Sequence, residues 1–196
     1  MVVDGGSRDD TVERARALGA EVIASQPGRA RQLQRGFEHS SGEVVVFLHA
    51  DTRLPPGWPG AIAEALADPG VCGGAFRFGF EGSAERLGIA LRLVEWGAQL
   101  RHTWLGQPYG DQGIFVRRAT LLAIGGVPQV ALMEDLDLVA AMKRQGRLAQ
   151  IATSVATSSR EYTRVGVART VLRHSVAIAG RWLGVDRSRI AAWLAR

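Results

Sequence analysis

The chain has 196 residues, 46% of them hydrophobic and 22% charged, which suits one globular domain with a helical appendage and enough chain to bury a core. Its one cysteine, Cys72, excludes an internal disulfide and a zinc site built from cysteines, and His39, His49, His102 and His174 lack metal-ligand spacing. No apolar run reaches membrane-spanning length and no basic-then-apolar leader opens the chain, so a cytoplasmic location is the default expectation.

In chain order, Met1-Val2-Val3 reads as the end of a strand, and Asp4-Gly5-Gly6-Ser7 as a turn into a helix over 9–18 that stops at Gly19. A short strand over 21–24 and an arginine-bearing helix over 28–39 come next. EVVVFLHADTRLPPGW then supplies a β-branched run over 44–48, the pattern of a strand buried on both faces, ended by His49-Ala50-Asp51-Thr52 and by Pro55-Pro56-Gly57. With a helix over 59–67, this is the strand–helix alternation of a parallel sheet. Residues 72–80, CGGAFRFGF, predict a strand with glycines where backbones or a ligand approach closely. Residues 85–100 predict a helix packed through Leu87, Leu91, Val94 and Ala98, with Trp96 read as packing. A loop over 106–113, a strand over 114–116, a helix over 119–124, a helix over 132–145 and a strand over 148–153 complete the first 159 residues. From Arg160 onward, eight Arg against Glu161 and Asp186 give +6, against +5 for the whole chain. The division expected is therefore 1–159 as the main domain and 160–196 as a basic helical extension. Such a tail suits an anionic membrane surface, an acidic partner or a solvated helix face; nucleic acid is disfavoured because no stacking aromatics or binding motif accompany the charge.

Four polar clusters fall at loops or element ends: 4–10, His49 to Asp51, Asp111-Gln112 and Glu134-Asp135. A strand that carries a His and an Asp to its carboxyl end is where open α/β sheets place ligands. Asp is equally a common turn cap, and Glu134-Asp135 could simply oppose a helix dipole. The residues by themselves leave both readings open.

VVDGGSRDDT, GRARQLQRG, FLHADTRLP, GDQGIFVRR and MEDLDL, in this order and spacing, resemble a family 2 glycosyltransferase of the GT-A fold, more narrowly the bacterial radical-SAM/selenodomain-associated transferase branch. The resemblance implies an α/β GT-A domain that uses a nucleotide-diphosphate sugar donor and a divalent cation, Mg²⁺ or Mn²⁺. It places Asp4 and Arg31 at the nucleotide, and Asp51 in the DXD-like motif at the metal and ribose-diphosphate. Asp111 and Gln112 fall at the acceptor or donor-sugar pocket. Asp135, in the ED motif, is implied as the general base of an inverting displacement, with Glu134 as the alternative. Arg160 and Arg164 match positions that reach the diphosphate. The acceptor is left open, with a lipid-linked acceptor at the inner face of the membrane as the reading that employs the basic tail.

Two departures shape the expectations. His49 stands where the motif's first acid belongs, so the metal falls to Asp51, with His49 as a further ligand or a phosphate contact. The family also begins one strand–helix unit earlier than Met1, which makes a non-catalytic nucleotide-sugar-binding or scaffolding remnant the alternative function and predicts that this chain alone is poorly stable or inactive.

Overall fold

The computed structural model describes residues 1–82 and 88–194. Its elements are β1 (Val2–Asp4), α1 (Thr11–Ala17), β2 (Val22–Ala24), α2 (Arg29–His39), β3 (Val44–Phe47), β4 (Thr52–Arg53), α3 (Trp58–Ala65) and β5 (Val71–Arg77). These are followed by α4 (Ile89–Leu105), a 3₁₀ turn (Gly110–Gln112), β6 (Ile114–Arg117), α5 (Arg118–Ala123), α6 (Glu134–Lys143), β7 (Arg147–Ser154), β8 (Ala156–Thr157), α7 (Arg160–Val165), α8 (Val167–Trp182) and α9 (Arg187–Leu194).

The strands form a four-stranded sheet in the order β3-β6-β5-β7, with two small ladders, β1-β2 and β4-β8. Parallel pairing holds for β1-β2 and β5-β7, whereas β6 runs antiparallel to both of its neighbours. The expectation for β3 holds in part: Val45 and Phe47 are buried in one apolar cluster, Val44 and Val46 are only half-buried against another, and β3 lies at the end of the sheet order. The central place belongs to β6, whose Ile114, Phe115 and Val116 are at most 1% exposed. Apolar composition could not distinguish the two, because both strands carry a run that suits a covered sheet. Among the described residues, β3 has no ladder partner beyond β6, and β1 has none beyond β2.

The glycines of β5 serve backbone approach. Strands β5 and β7 pair over the length of β5, and Gly73 and Gly74 face Val116, Phe115 and Ala149. Apolar clusters cover both faces of the sheet, one around Phe37, Val116, Leu138 and Met142, the other around Ile62, Phe76 and Phe115. A third, of Phe78, Phe80, Leu91 and Ala98, seats α4, and Tyr162 and Val167 of the tail pack against it. Leu91, Val94 and Ala98 thus pack as expected, while Leu87 lies outside the described residues. Trp96 is corrected: it is 63% exposed, on the side of α4 away from the core.

Candidate active site

The segment after β3 is held from outside its own strand. Thr52 and Thr157 pair across the β4-β8 ladder, their hydroxyls 3.0 Å apart, and Ser158 N donates to Asp51 O at 2.9 Å. The turn itself closes through the backbone, Thr52 N to His49 O at 3.1 Å. The Asp51 carboxylate caps nothing; its one hydrogen bond among the described residues is from the Thr52 hydroxyl at 3.5 Å. Exposed, it stands between two clefts. The larger, about 1010 Å³, also takes in Arg29, His49, Asp111 and Asp135; the smaller, about 430 Å³, takes in Arg53, Ser158 and Arg160.

Helix α6 brings the second acid. Met133, with φ 61°, is the one non-glycine residue in the left-handed region among the described residues. Such a conformation costs on the order of 1 kcal/mol or more and is kept where the surroundings fix it. Met133 stands at the start of α6, where successive side chains point about 100° apart. Glu134 goes inward, 2% exposed, beside Arg29 Nε at 3.4 Å. Burial pushes its carboxyl above the ordinary range while Arg29 pulls it back. Asp135 faces the larger cleft with both oxygens fixed, Oδ2 accepting from Gly110 N at 2.7 Å and Oδ1 from Leu136 N at 2.9 Å. A carboxylate in the first turn of a helix also gains from the helix dipole. Gly110 makes the approach possible: a Cβ there would lie 2.7 Å from His49 Nε2 and 3.4 Å from Asp135 Oδ2.

Of the four buried side-chain atoms without a hydrogen-bond partner among the described residues, three belong here: His49 Nε2, Asp111 Oδ1 and Glu134 Oε1. Unsatisfied buried polar atoms are costly and are few in native structures. Burial first, then Arg29, depresses His49 to about 4, so its ring is neutral at pH 7. Burial raises Asp111 to about 6, with Asp135 adding to the rise and Arg101 opposing it. Since the unfolded carboxyl titrates near 3.8, the folded state takes up its proton first, and Asp111 costs folding energy above pH 6 that is relieved as pH falls toward 4. Asp111→Asn is therefore expected to stabilise the chain at pH 8 by up to about 3 kcal/mol, since each tenfold difference in proton affinity between folded and unfolded chain is about 1.36 kcal/mol. The gain should vanish by pH 4. Chemical denaturation of both proteins at the two pH values measures it, with the histidines common to both cancelling.

Gln112 and Glu134 are placed differently from the sequence expectation. Gln112 is fully buried and has no surface in either cleft. It bonds Phe76 O at 3.1 Å, His102 Nδ1 at 3.0 Å and Tyr109 N at 2.9 Å, so it fixes the 109–113 loop from beneath. Glu134 likewise lines neither cleft. Asp4 folds back on its own turn, accepting from Gly6 N and Ser7 Oγ, and Arg31 bonds Gln26 and Pro27; both lie outside the two clefts. Arg164 also lines neither, whereas Arg160 sits beside Asp51. The structure thus brings together His49, Asp51, Asp111 and Asp135. It adds Arg29, Arg101 and Tyr109, which sequence reasoning passed over; Arg101 stacks on the Tyr109 ring at 3.3 Å. Arg29 and Arg31 are two apart on one helix and so face different directions, and nothing in GRARQLQRG says which faces the cleft.

Among the described residues no group of three or more His, Cys, Asp or Glu is placed to hold a metal. Asp51 presents a free carboxylate at the junction of the clefts, while His49 Nε2 is sealed against Gly110. This donor set does not build a cage, but it suits a hard cation carried by one carboxylate and substrate phosphates.

Residues 1–122 match the model of the family described as glycosyl transferase family 2. The chain belongs to that family. Glucosyl-3-phosphoglycerate synthase of Mycobacterium tuberculosis (strain ATCC 25618 / H37Rv) is 38% identical over 64 residues, 28% of this chain and 20% of the synthase. An uncharacterized protein of M. tuberculosis (strain CDC 1551 / Oshkosh) is 25% identical across 99% of this chain and 65% of its own length. The chain therefore spans less than two thirds of the length of these relatives. The crystal structure of the M. tuberculosis synthase with Mn²⁺, uridine-diphosphate-glucose and phosphoglyceric acid superposes with a TM-score of 0.56 at 23% identity, covering 87% of this chain and 65% of that one. The same synthase with Mg²⁺ and uridine-diphosphate gives 0.56 over 88% and 65%. The family 2 chain accordingly has the mixed α/β fold of GT-A glycosyltransferases.

Proposed function

We propose that this family 2 chain transfers a sugar from a nucleotide-diphosphate donor to an acceptor hydroxyl with inversion at the anomeric carbon. The observation that carries the reading is the pairing of Asp135, its carboxylate aimed by Gly110 N and Leu136 N, with Asp51 in one cleft. The acceptor oxygen forms its bond to the anomeric carbon as the bond from that carbon to the diphosphate breaks, and Asp135 takes the hydroxyl proton. Arg160, beside Asp51 in the smaller cleft, offers a fixed positive charge to the departing diphosphate. Asp51 would hold the divalent cation, Mg²⁺ or Mn²⁺, which when bound neutralises charge on the diphosphate. Asp111 lines the sugar or acceptor space, and Asp4 and Arg31 serve the nucleotide from outside the two clefts. The synthase structures, one with uridine-diphosphate-glucose and one with uridine-diphosphate, support a uridine-diphosphate sugar as donor. Their acceptor, phosphoglyceric acid, is a small anion, whereas this cleft has Phe78, Leu93, Val94, Leu172 and Ile178 along its wall. That lining favours an acceptor with an apolar part, such as a lipid-linked one. Residues 160–196 act as an extension that closes this wall onto the 1–159 domain.

The test is calorimetric titration of uridine-diphosphate with Mn²⁺ into the parent and Asp51→Ala. Losing an outer partner of a metal ligand already costs about 10- to 100-fold in metal affinity. Losing Asp51 itself should weaken Mn²⁺-dependent binding by at least that much and leave metal-free binding unchanged. Equal Mn²⁺ dependence in both proteins removes Asp51 from the metal.

A further inference from the structure

Helix α4 faces the wrong way for a surface helix. Its buried side is supplied by Leu91, Ala98 and His102. Its outer side carries Ile89, Leu93, Trp96, Leu100 and Trp104, spaced at i, i+4, i+7, i+11 and i+15, which a 3.6-residue period sets on one face. Their exposures are 80, 61, 63, 39 and 79%. A surface helix ordinarily turns charged residues outward, and a continuous apolar stripe on a helix about 25 Å long marks an interaction surface. Helix α8, which touches α4, repeats the pattern: Leu172, Val176 and Trp182 are 63, 45 and 71% exposed on the side away from its buried Thr170 and Ala177, and Leu183, just past its end, is 83% exposed. Leu93 of one helix and Leu172 of the other both line the larger cleft, so the two stripes border its mouth.

We propose that α4 and α8 form a docking face for a bilayer containing anionic lipids, seating the mouth of the cleft at the membrane surface. Three features select this occupant. Trp and Leu among arginines are the composition of interfacial helices, whose apolar face sinks to the headgroup boundary. Arg92, on α4, and Arg164, Arg169 and Arg189 of the tail are exposed and pair with no carboxylate among the described residues, leaving cations for phosphate headgroups, each contributing on the order of 1 kcal/mol. A second copy meeting this face across a two-fold axis would instead bring like charges together. The face is also anchored to the site: Arg181 of α8 and Arg187 of α9 grip opposite oxygens of Asp137, on α6. Burial alone would raise the Asp137 carboxyl, and these two bonds hold it below its ordinary range. No described helix is long and apolar enough to cross a membrane, so contact through this face is contact along the surface.

The test uses the full chain and sucrose-loaded vesicles of phosphatidylcholine, with or without about one part in four of phosphatidylglycerol, read by sedimentation without donor or acceptor. It therefore stands apart from the transferase reading. The parent is expected to sediment with the anionic vesicles and, more weakly, with neutral ones. The Trp96→Glu, Trp104→Glu double variant should lose at least about tenfold in binding, and Arg92→Glu, Arg169→Glu should lose the preference for anionic lipid. All four positions are exposed, and circular dichroism checks that the fold is kept. Failure of the parent to bind either vesicle, binding that survives both double variants, or a solution dimer that the Trp substitutions dissociate would each overturn the proposal.

Discussion

Asp135→Asn should lower the rate of sugar transfer by about 10²- to 10⁴-fold, the usual contribution of a positioned general base. The substitution is nearly isosteric, but the two N–H bonds fall on different oxygens, so the asparagine carbonyl keeps one of them, from Gly110 N or from Leu136 N, and circular dichroism checks that the fold is kept. What is lost is the capacity to take a proton. Donor affinity, measured by calorimetry on the same protein, should therefore stay within about twofold while the rate collapses, the signature of an interaction made in the transition state. Two neighbouring acids make the experiment discriminating. Glu134 is buried against Arg29 and lines neither cleft, so Glu134→Gln should act through stability and leave the chemical step largely intact. Asp111 lies in the cleft and is raised to about 6, which makes it the rival base. If Asp111→Asn stops transfer and Asp135→Asn does not, the base is Asp111. If neither does, the base is another group, and if the parent itself transfers nothing, the chain is the non-catalytic nucleotide-sugar-binding or scaffolding alternative.

Sequence reasoning located most elements and the acids that meet in the cleft, for physical reasons. Strand and helix runs announce themselves by apolar period, and Asp51 and Asp135 sit at element ends, where helices and strands deliver side chains to a common edge. Direction was harder to read. Glu134 and Asp135 are adjacent and chemically alike; they point apart in the first turn of α6, and which of them enters the cleft depends on how that helix is seated. Arg29 and Arg31 pose the same problem, and so does β3, whose apolar run does not say that it has a ladder partner on one side only, β6, among the described residues. The resemblance implied Gln112 at the acceptor or donor-sugar pocket, whereas its amide is engaged by Phe76, His102 and Tyr109. Trp96 illustrates the opposite error. Helical spacing marks an apolar face but does not say that only one face is apolar, and α4 has two.

Gly74→Ala should be the most damaging single methyl in the chain. The added Cβ would stand 2.1 Å from Ala149 O and 2.7 Å from the Phe115 ring, and neither neighbour can yield cheaply. Ala149 O belongs to the backbone of β7, in register with Gly74 of β5, so moving it breaks the parallel pairing. Phe115 is fully buried in the central strand and packs edge-on against Phe76 at 6.1 Å between ring centres. Overpacking a filled core costs about 1–3 kcal/mol and sometimes more. Here a main-chain clash adds to a side-chain one, so about 3 kcal/mol or above is expected, a large part of the roughly 5–15 kcal/mol that holds a domain folded. Gly60→Ala is the control: it lies within α3, its Cβ would meet nothing within 4 Å, and the helix should gain up to about 1 kcal/mol in propensity. Urea denaturation of the three proteins measures both shifts. Equal midpoints for Gly74→Ala and the parent would mean that β5 and β7 do not approach as closely as their glycines require.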